Sequence, residues 1–159
     1  MFKNIFKKRK NSSWIYKLLK TVEPVAVLGV WEKHLQHYTD IIGYSATGAL
    51  FIMSPETKEY LVFYPSMPGN NCKGYGAFES IYEFEETILK ESSFPEFGLY
   101  PIDLALLNEI HNKLGPLDEH QIYFPALDPE LGGTLELKNF TKGDIWVRTD
   151  IVGQNRGIE

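Results

Sequence analysis

Two histidines, His34 and His37, are the first residues whose type and spacing could support chemistry. Their HxxH spacing would place two imidazoles on one helical face, with carboxylates nearby at Glu32 and Asp40. Imidazole and carboxylate groups together can bind a divalent metal such as zinc. The spacing differs from that of the HExxH motif of zinc peptidases, and the sequence shows no third, distant ligand. A small metal-dependent enzyme using His34 and His37 is therefore one alternative function.

The other reactive residue types do not form a catalytic motif. Cys72 is the single cysteine of the chain, so no intramolecular disulfide or CxxC motif can form, and no GxSxG sequence supplies a nucleophilic serine. Gly74-Tyr75-Gly76 lacks the third glycine of a dinucleotide-binding motif, and Gly132-Gly133 lacks the Lys-Ser/Thr that follows in a phosphate loop. His111 lies on the apolar stripe of a helix, which favours a structural role. We predict a protein that is not an enzyme and needs no metal or cofactor.

Acidic residues form the most distinctive part of the charge pattern. Residues 79–119 contain ten acidic and two basic residues, which gives a net charge of −8 over 41 residues. Solvated helix faces often carry such charges, but a concentrated negative field also speeds encounter with a basic protein. We predict that this segment contacts a basic partner. The predicted contact residues are Glu79, Glu83, Glu85, Glu86, Glu91, Asp118 and Glu119.

Basic residues are concentrated at the start of the sequence. Five of the sixteen lie within the first ten positions, so residues 11–159 contain 11 Lys and Arg against 21 Asp and Glu. That balance argues against a nucleic-acid-binding body. Phe2, Ile5 and Phe6 are spaced to form an amphipathic turn beside lysines, which could contact an anionic membrane. We interpret residues 1–12 as a basic flexible tail, with a membrane-surface adaptor as a second alternative function.

The apolar segments are too short for export or membrane insertion. Lysines interrupt the apolar stretch that follows the basic start, and no uninterrupted apolar run approaches the roughly 18 residues of a membrane span. The single cysteine also suits a reducing compartment. The sequence therefore predicts a soluble, cytoplasmic protein.

The elements that must position these residues indicate a single α+β domain. With 159 residues, 43% hydrophobic and 14% aromatic, the chain can form one hydrophobic core. The apolar spacing predicts two short helices over residues 14–35, broken at Pro24, and an antiparallel meander over 39–64 with apolar residues on both faces. A loop over 66–76 and amphipathic helices near 78–91 and 102–114 are expected to follow.

The C-terminal third is predicted to add short strands to the sheet. They are expected at residues 121–124 and 134–137, around a loop at 125–133. Residues 144–151 alternate like a strand, although the i, i+4 spacing of Asp144 and Arg148 would also suit a helix. We place the domain at residues 13–155 and interpret residues 156–159 as a C-terminal tail.

One stretch resembles a known family. Residues 114–133 read LGPLDEHQIYFPALDPELGG, which is similar to the run LG-x-L … IYGF-x-PAL-x-LGG. That run is typical of the C-terminal domain of the immunity family of bacterial type VI secretion DNase toxins, whose full-length members also carry a GAD-like region. Residues 46–52, ATGALFI, take the place of the family's upstream strand, so the likeness extends over about residues 38–155. The run departs from the family at Asp128-Pro129-Glu130, where small apolar residues are usual.

The resemblance implies a binding function. It suggests an immunity or antitoxin-like protein that neutralises a cognate secreted toxin, a nuclease, by occluding it. We interpret several residues of the similar run as shaping a strand and a tight turn, because they suit backbone geometry rather than chemistry. These residues are Tyr123, Pro125, Leu131, Gly132 and Gly133.

Overall fold

A five-stranded antiparallel sheet forms the centre of the protein. The computed structural model describes residues 13–69 and 71–158. The predicted basic tail at 1–12, with its membrane contact through Phe2, Ile5 and Phe6, lies outside the described residues. The strands of the sheet pair in chain order. They are β1 (Tyr16–Pro24), β2 (Asp40–Ser45), β3 (Leu50–Met53), β4 (Glu59–Phe63) and β5 (Cys72–Ala77).

Short polar turns join the three central strands. Between β2 and β3, the Ser45 hydroxyl accepts the Ala49 N–H at 3.1 Å, and Gly48 adopts a φ of 97° that favours glycine. Between β3 and β4, the Ser54 hydroxyl accepts the Thr57 N–H at 3.4 Å. The antiparallel meander predicted over residues 39–64 is therefore confirmed, and its strands are buried on both faces, as their apolar runs indicate.

Helices cover the first face of the sheet with aromatic side chains. The ring of Phe84 stacks on Tyr60 at a centroid distance of 4.7 Å, and Phe94 meets Phe51 edge to face at 6.0 Å. Both helices predicted for this part of the chain are present. The covering elements are α1 (Ile81–Phe84), which continues as a π-helical turn (Glu85–Leu89), α2 (Phe94–Gly98) and α3 (Leu104–Leu114).

Two other segments cover the second face and contact each other closely. The Trp31 indole N–H donates to the Thr149 carbonyl at 2.9 Å. A Cβ atom at Gly153 would lie 2.5 Å from Val30 Cγ2, so glycine allows the close approach of the two segments. The two segments are a kinked 3₁₀ helix (Val25–His34) and the helix α4 (Ile145–Asn155).

A second, two-stranded sheet completes a single α+β domain. It pairs β6 (Gln121–Pro125) with β7 (Phe140–Asp144) in antiparallel register. The Tyr123 N–H donates to the Ala46 carbonyl at 2.8 Å, and the His120 N–H donates to the Tyr44 hydroxyl at 2.9 Å. These bonds attach the small sheet to the end of β2, so the α+β fold class predicted from the sequence is confirmed.

The first predicted helix is wrong, because residues 16–24 form β1. The pairing of β1 with β2 shifts register between Leu18 and Glu23, and such a bulge interrupts the two-residue alternation of a strand. Ile15, Leu18 and Val22 therefore fall at helix-like spacing, although Val22 is 40% exposed. Backbone pairing at the edge of the sheet decides the structure of this segment.

Two further strand assignments are corrected. The predicted loop at 66–76 ends in β5, an edge strand whose residues are mostly exposed and which pairs with β4 through backbone bonds. The strand predicted at 134–137 is absent, because residues 137–139 form a 3₁₀ turn and the strand follows at β7. In both places the backbone pairs without an alternating apolar pattern, which is the signal that sequence reasoning used.

The segment after residue 144 is helical, which was the second of the two sequence interpretations. The Asp144 carboxylate accepts the Val147 N–H at 3.0 Å and caps α4. Arg156 belongs to the domain rather than to a tail, because its Nη1 donates to the carbonyls of Pro65 at 2.6 Å and Met67 at 2.8 Å. Among the described residues, no helix combines the length and the apolar composition that a membrane crossing requires.

Candidate functional site

Exposed carboxylates lie on the segment around α1 and on the loop that follows α3. We call this set, Glu79, Glu83, Glu91, Asp118 and Glu119, the acidic surface. The Glu79 side chain is 88% exposed and its nearest cation, Lys58 Nζ, lies 3.5 Å away. Glu83 also has a structural role, because its carboxylate accepts the Glu79 N–H at 2.8 Å while its own N–H donates to the Ser80 hydroxyl.

Glu85 and Glu86 differ from the other predicted contact residues because they are half-buried and engaged within the fold. The Tyr16 hydroxyl donates to Glu85 Oε2 at 2.9 Å, and Lys90 Nζ forms an ion pair with Glu86. Burial raises the pKa of the Tyr16 hydroxyl, and the bond to the Glu85 carboxylate raises it further. Glu85 and Glu86 are therefore less available than the exposed carboxylates, and their contact with a partner stays a prediction.

A small cleft lies beside the loop that carries Asp118. Its volume is about 220 Å³, and Trp14, Tyr16, His111 and Asp118 line it. Trp14 stacks on His111 at a centroid distance of 4.4 Å. Lys17 and Asp118 are the charged side chains of its wall, and the hydroxyl of Tyr16 bonds Glu85.

The histidines of the HxxH pattern make contacts of other kinds. His37 Nε2 lies 3.9 Å from Glu59 Oε2, and its ring packs against Tyr38 at 4.4 Å. The His34 ring meets Trp31 edge to face at 6.4 Å. Across residues 13–69 and 71–158, no group of three or more His, Cys, Asp and Glu residues is placed to hold a metal ion.

Tyr123 in β6 and the consecutive glycines Gly132 and Gly133 lie at the two ends of the 125–133 loop. The buried Tyr123 hydroxyl donates to the Gly115 carbonyl and contacts His111 Nδ1 at 2.9 Å. Gly132 adopts a φ of 98°, and a Cβ atom at Gly133 would lie 1.7 Å from the Leu127 carbonyl oxygen. Pro125 is buried at the end of β6, whereas Leu131 is 59% exposed.

The same loop holds a buried ion pair that sequence reasoning missed. Arg148 Nη2 donates to Asp128 Oδ2 at 3.0 Å, and the two side chains are 11% and 10% exposed. The Arg148 guanidinium also lies over the Phe124 ring, 4.8 Å from its centroid. Burial lowers the pKa of Arg148, and the Asp128 carboxylate partly offsets that effect. The i, i+4 spacing of Asp144 and Arg148 was visible in the sequence, but Asp144 caps α4 and Arg148 turns to Asp128.

The ion pair lies in the wall of a cavity of about 320 Å³, which we call the Arg148 cavity. Aromatic rings and prolines form most of the remaining wall, together with the small residues Thr47, Gly48 and Ala49. Arg156 braces two parts of the rim. It binds the carbonyls of residues 65 and 67, and its Nε lies 3.5 Å from Glu130 Oε1.

A shallow apolar groove lies on the other side of the ion pair. Its volume is about 340 Å³, and it runs between the 126–131 loop and the outer face of α4. Four of its apolar side chains are unusually exposed for their type. They are Leu127 at 48%, Leu131 at 59%, Val147 at 59% and Ile151 at 44%.

Comparison with known proteins identifies a fold relative and no family. No family model matches the chain, and no curated protein matches it. A solved structure, the crystal structure of Atu4351 from Agrobacterium tumefaciens, is similar with a TM-score of 0.62 and 22% sequence identity. The similarity covers 90% of this chain and 68% of that chain. At this level of identity the comparison shows that the two proteins share a fold.

Proposed function

We propose that this protein is a bacterial immunity or antitoxin-like protein that acts in the cytoplasm. Its partner is a cognate secreted toxin of the type VI secretion class, a basic nuclease, which it neutralises by occlusion. The observation that carries the proposal is the acidic surface. Glu79, Glu91, Asp118 and Glu119 are exposed on the segments that flank α1 and follow α3, and residues 79–119 contain ten acidic residues against two basic ones.

Charge complementarity gives this surface a physical route to the function. A nuclease must bind phosphates with basic side chains, and exposed carboxylates attract the same side chains. Exposed charges contribute little to the stability of their own fold, but they raise the rate of encounter with an oppositely charged protein. The acidic surface is therefore suited to covering a site that is built for nucleic acid.

The similar run at residues 114–133 supports the proposal from a second direction. It joins the loop that carries Asp118 and Glu119 to the 125–133 loop. The Tyr123 hydroxyl contacts His111 of α3, and its N–H donates to Ala46, the residue that follows β2. The run thus has a defined shape next to the acidic surface.

The two alternative functions have less support. His34 and His37 meet aromatic rings, and neither belongs to a candidate metal cluster within the described part of the chain. A membrane-surface adaptor would depend on residues 1–12, which lie outside that part.

The first test concerns protection. The protein encoded by the adjacent gene is expressed in bacteria alone and together with this chain, and growth is measured. We expect growth to stop in the first case and to recover in the second, with a complex that survives purification of both proteins. An adjacent product that is harmless, or that remains toxic during co-expression, would contradict the proposed function.

The second test separates the acidic surface from charge in general. We chose Glu79→Lys, Glu91→Lys and Glu119→Lys together, because these three carboxylates of the acidic surface are exposed and accept no backbone hydrogen bond among the described residues. The matched control combines Glu32→Lys, Glu56→Lys and Glu136→Lys, which are exposed elsewhere and change the net charge equally. We expect the first variant to associate with the toxin about tenfold more slowly at low salt.

Salt dependence completes this test. The rate deficit should shrink as ionic strength rises, because salt screens interactions between exposed charges. The control should lose far less, since its substitutions lie outside the acidic surface. Equal association rates for the two variants at low salt would exclude the acidic surface as the docking site.

A further inference from the structure

The Arg148 cavity has the size and lining of a small-molecule site. Its volume of about 320 Å³ falls at the lower end of the usual range for ligand pockets, roughly 300–1,000 Å³. Such pockets are mainly apolar, with a few polar groups that orient the ligand. Here the apolar wall includes Tyr100, Tyr123 and Phe140, and the charged group most deeply enclosed is the ion pair of Arg148 with Asp128.

The wall is formed by backbone of restricted freedom. Pro65, Pro101, Pro125 and Pro129 line the cavity, and proline fixes its own φ angle. Arg156 holds the Pro65 segment through the carbonyl of that residue. A wall of this kind is formed before a ligand arrives, so little binding energy is lost in ordering it.

Hydrogen-bond accounting shows what the cavity can offer. Both oxygens of the Asp128 carboxylate are engaged, because Oδ1 accepts the Glu130 N–H at 3.2 Å and Oδ2 accepts from Arg148 at 3.0 Å. Arg148 donates that single hydrogen bond within the described residues, and a guanidinium has several further N–H groups. The polar capacity left at the ion pair is therefore that of a donor, which calls for an acceptor on the ligand.

Charge balance decides between a charged and a neutral acceptor. Arg148 is paired with Asp128, and Arg156 lies beside Glu130. A carboxylate ligand would bring an uncompensated negative charge next to side chains that are about 10% exposed, and burying an unpaired charge is costly. A neutral carbonyl oxygen can accept from Arg148 without that cost.

We propose that the Arg148 cavity binds a small neutral ligand with an apolar body and a carbonyl group, such as an amide, ester or lactone. The carbonyl oxygen accepts from the Arg148 guanidinium, and the apolar body packs against the aromatic and proline wall. This inference goes beyond the proposed immunity function and does not depend on it.

Titration calorimetry on the full chain tests the inference with two ligands of equal apolar length. Octanamide carries a neutral carbonyl and octanoate carries a carboxylate. We expect octanamide to bind with one site per chain, and octanoate to bind at least tenfold more weakly. An absence of octanamide binding, or tighter binding of octanoate, would overturn the inference.

Variants then locate the binding site. Asp128→Ala combined with Arg148→Met leaves neither a side-chain donor nor an unpaired charge at this position, so octanamide affinity should fall at least tenfold. Ser66→Trp places a large side chain at an exposed position of the cavity wall and should also reduce binding. It provides a second measurement should the double variant fail to fold, which a thermal melt reports.

The neighbouring apolar groove supplies the control. Val147→Ser and Ile151→Ser change two exposed residues that line the groove and not the cavity. We expect this variant to bind octanamide as the wild type does. Binding that is lost in the groove variant and retained with Ser66→Trp would assign the ligand to the groove and contradict the inference. Because the toxin is absent from these measurements, a negative result leaves the proposed function untouched.

Discussion

Carboxylates lie in two contrasting surroundings in this protein. On the acidic surface, the Glu79 side chain is 88% exposed beside a lysine that is itself 57% exposed. At the Arg148 cavity, Asp128 is 10% exposed and its partner 11%. Exposed ion pairs contribute roughly 0–1 kcal/mol, whereas breaking a buried pair costs about 3–5 kcal/mol. The exposed carboxylates are therefore free to serve recognition, and the enclosed ones are needed for the fold.

The largest expected effect follows from removing one side of the enclosed pair. Arg148→Met leaves the Asp128 carboxylate buried without its cation, so we expect the free energy of unfolding to fall by about 3–5 kcal/mol. Urea denaturation measures this change. Adding Asp128→Asn should recover a large part of the loss, because the double variant has no unpaired charge. If Arg148→Met lowered the free energy of unfolding by less than about 1 kcal/mol, the buried ion pair would contribute no more than an exposed one.

A smaller loss is expected when the loop that holds Asp128 is disturbed. Gly133→Ala places a Cβ atom 1.7 Å from the Leu127 carbonyl oxygen, so the loop must shift. Overpacking of this kind costs about 1–3 kcal/mol. Gly69→Ala is a useful comparison, since nothing lies within 4 Å of its Cβ position, although its φ of 73° also disfavours alanine. Equal denaturation midpoints for the two variants would show that the close contact with the Leu127 carbonyl oxygen is not what destabilises Gly133→Ala.

Burial also affects a neutral group, the hydroxyl of Tyr75. The Tyr75 hydroxyl is buried and has no hydrogen-bond partner among the described residues, and burial raises its pKa from 10.0 to about 12. As pH rises above 10, the unfolded state ionises first, so stability is lost progressively until pH passes the folded-state pKa.

Tyr75→Phe tests this alkaline effect. Near pH 11 we expect the wild type to have lost about 1 kcal/mol relative to the variant, compared with their difference near pH 7. Denaturation curves at the two pH values give the comparison. A constant difference across this range would show that the hydroxyl is hydrated in the folded protein.

The smallest effect on stability is expected on the acidic surface itself. The triple variant Glu79→Lys, Glu91→Lys and Glu119→Lys should change the free energy of unfolding by less than about 1 kcal/mol, because each side chain is exposed. Thermal and urea denaturation measure this. A change as large as that of Arg148→Met would mean that these carboxylates maintain the fold, and that the two regions do not differ as their exposure indicates.

Elements whose burial matches a regular pattern of apolar side chains could be predicted from the sequence. The meander could be read because its strands are buried on both faces, and α3 because its apolar stripe is regular and Asp103 caps it at 2.8 Å. The strands β1 and β5 could not be read in the same way. The bulge in β1 breaks its alternation, and β5 is defined by backbone pairing rather than by buried side chains.

The candidate sites show a similar division. The sequence locates the excess of carboxylates but not their partners, because Tyr16 meets Glu85 from 69 residues away and Arg148 meets Asp128 from 20 residues away. Helix and strand periodicities relate residues within one element, so they do not predict contacts between residues so far apart in the sequence. The sequence shows Asp128 only as an acidic residue of the 125–133 loop, and its partner Arg148 lies on α4.

The bond from the Trp31 indole to the Thr149 carbonyl joins residues 118 positions apart, which has a consequence for synthesis on the ribosome. All five strands of the main sheet end by residue 77, whereas α4 begins at residue 145. At about 5–20 residues per second, several seconds separate the emergence of these elements. During that interval Ile41, Leu50 and Phe63 lack the cover of α4. The nascent chain is therefore expected to rely on a chaperone until translation passes the helix.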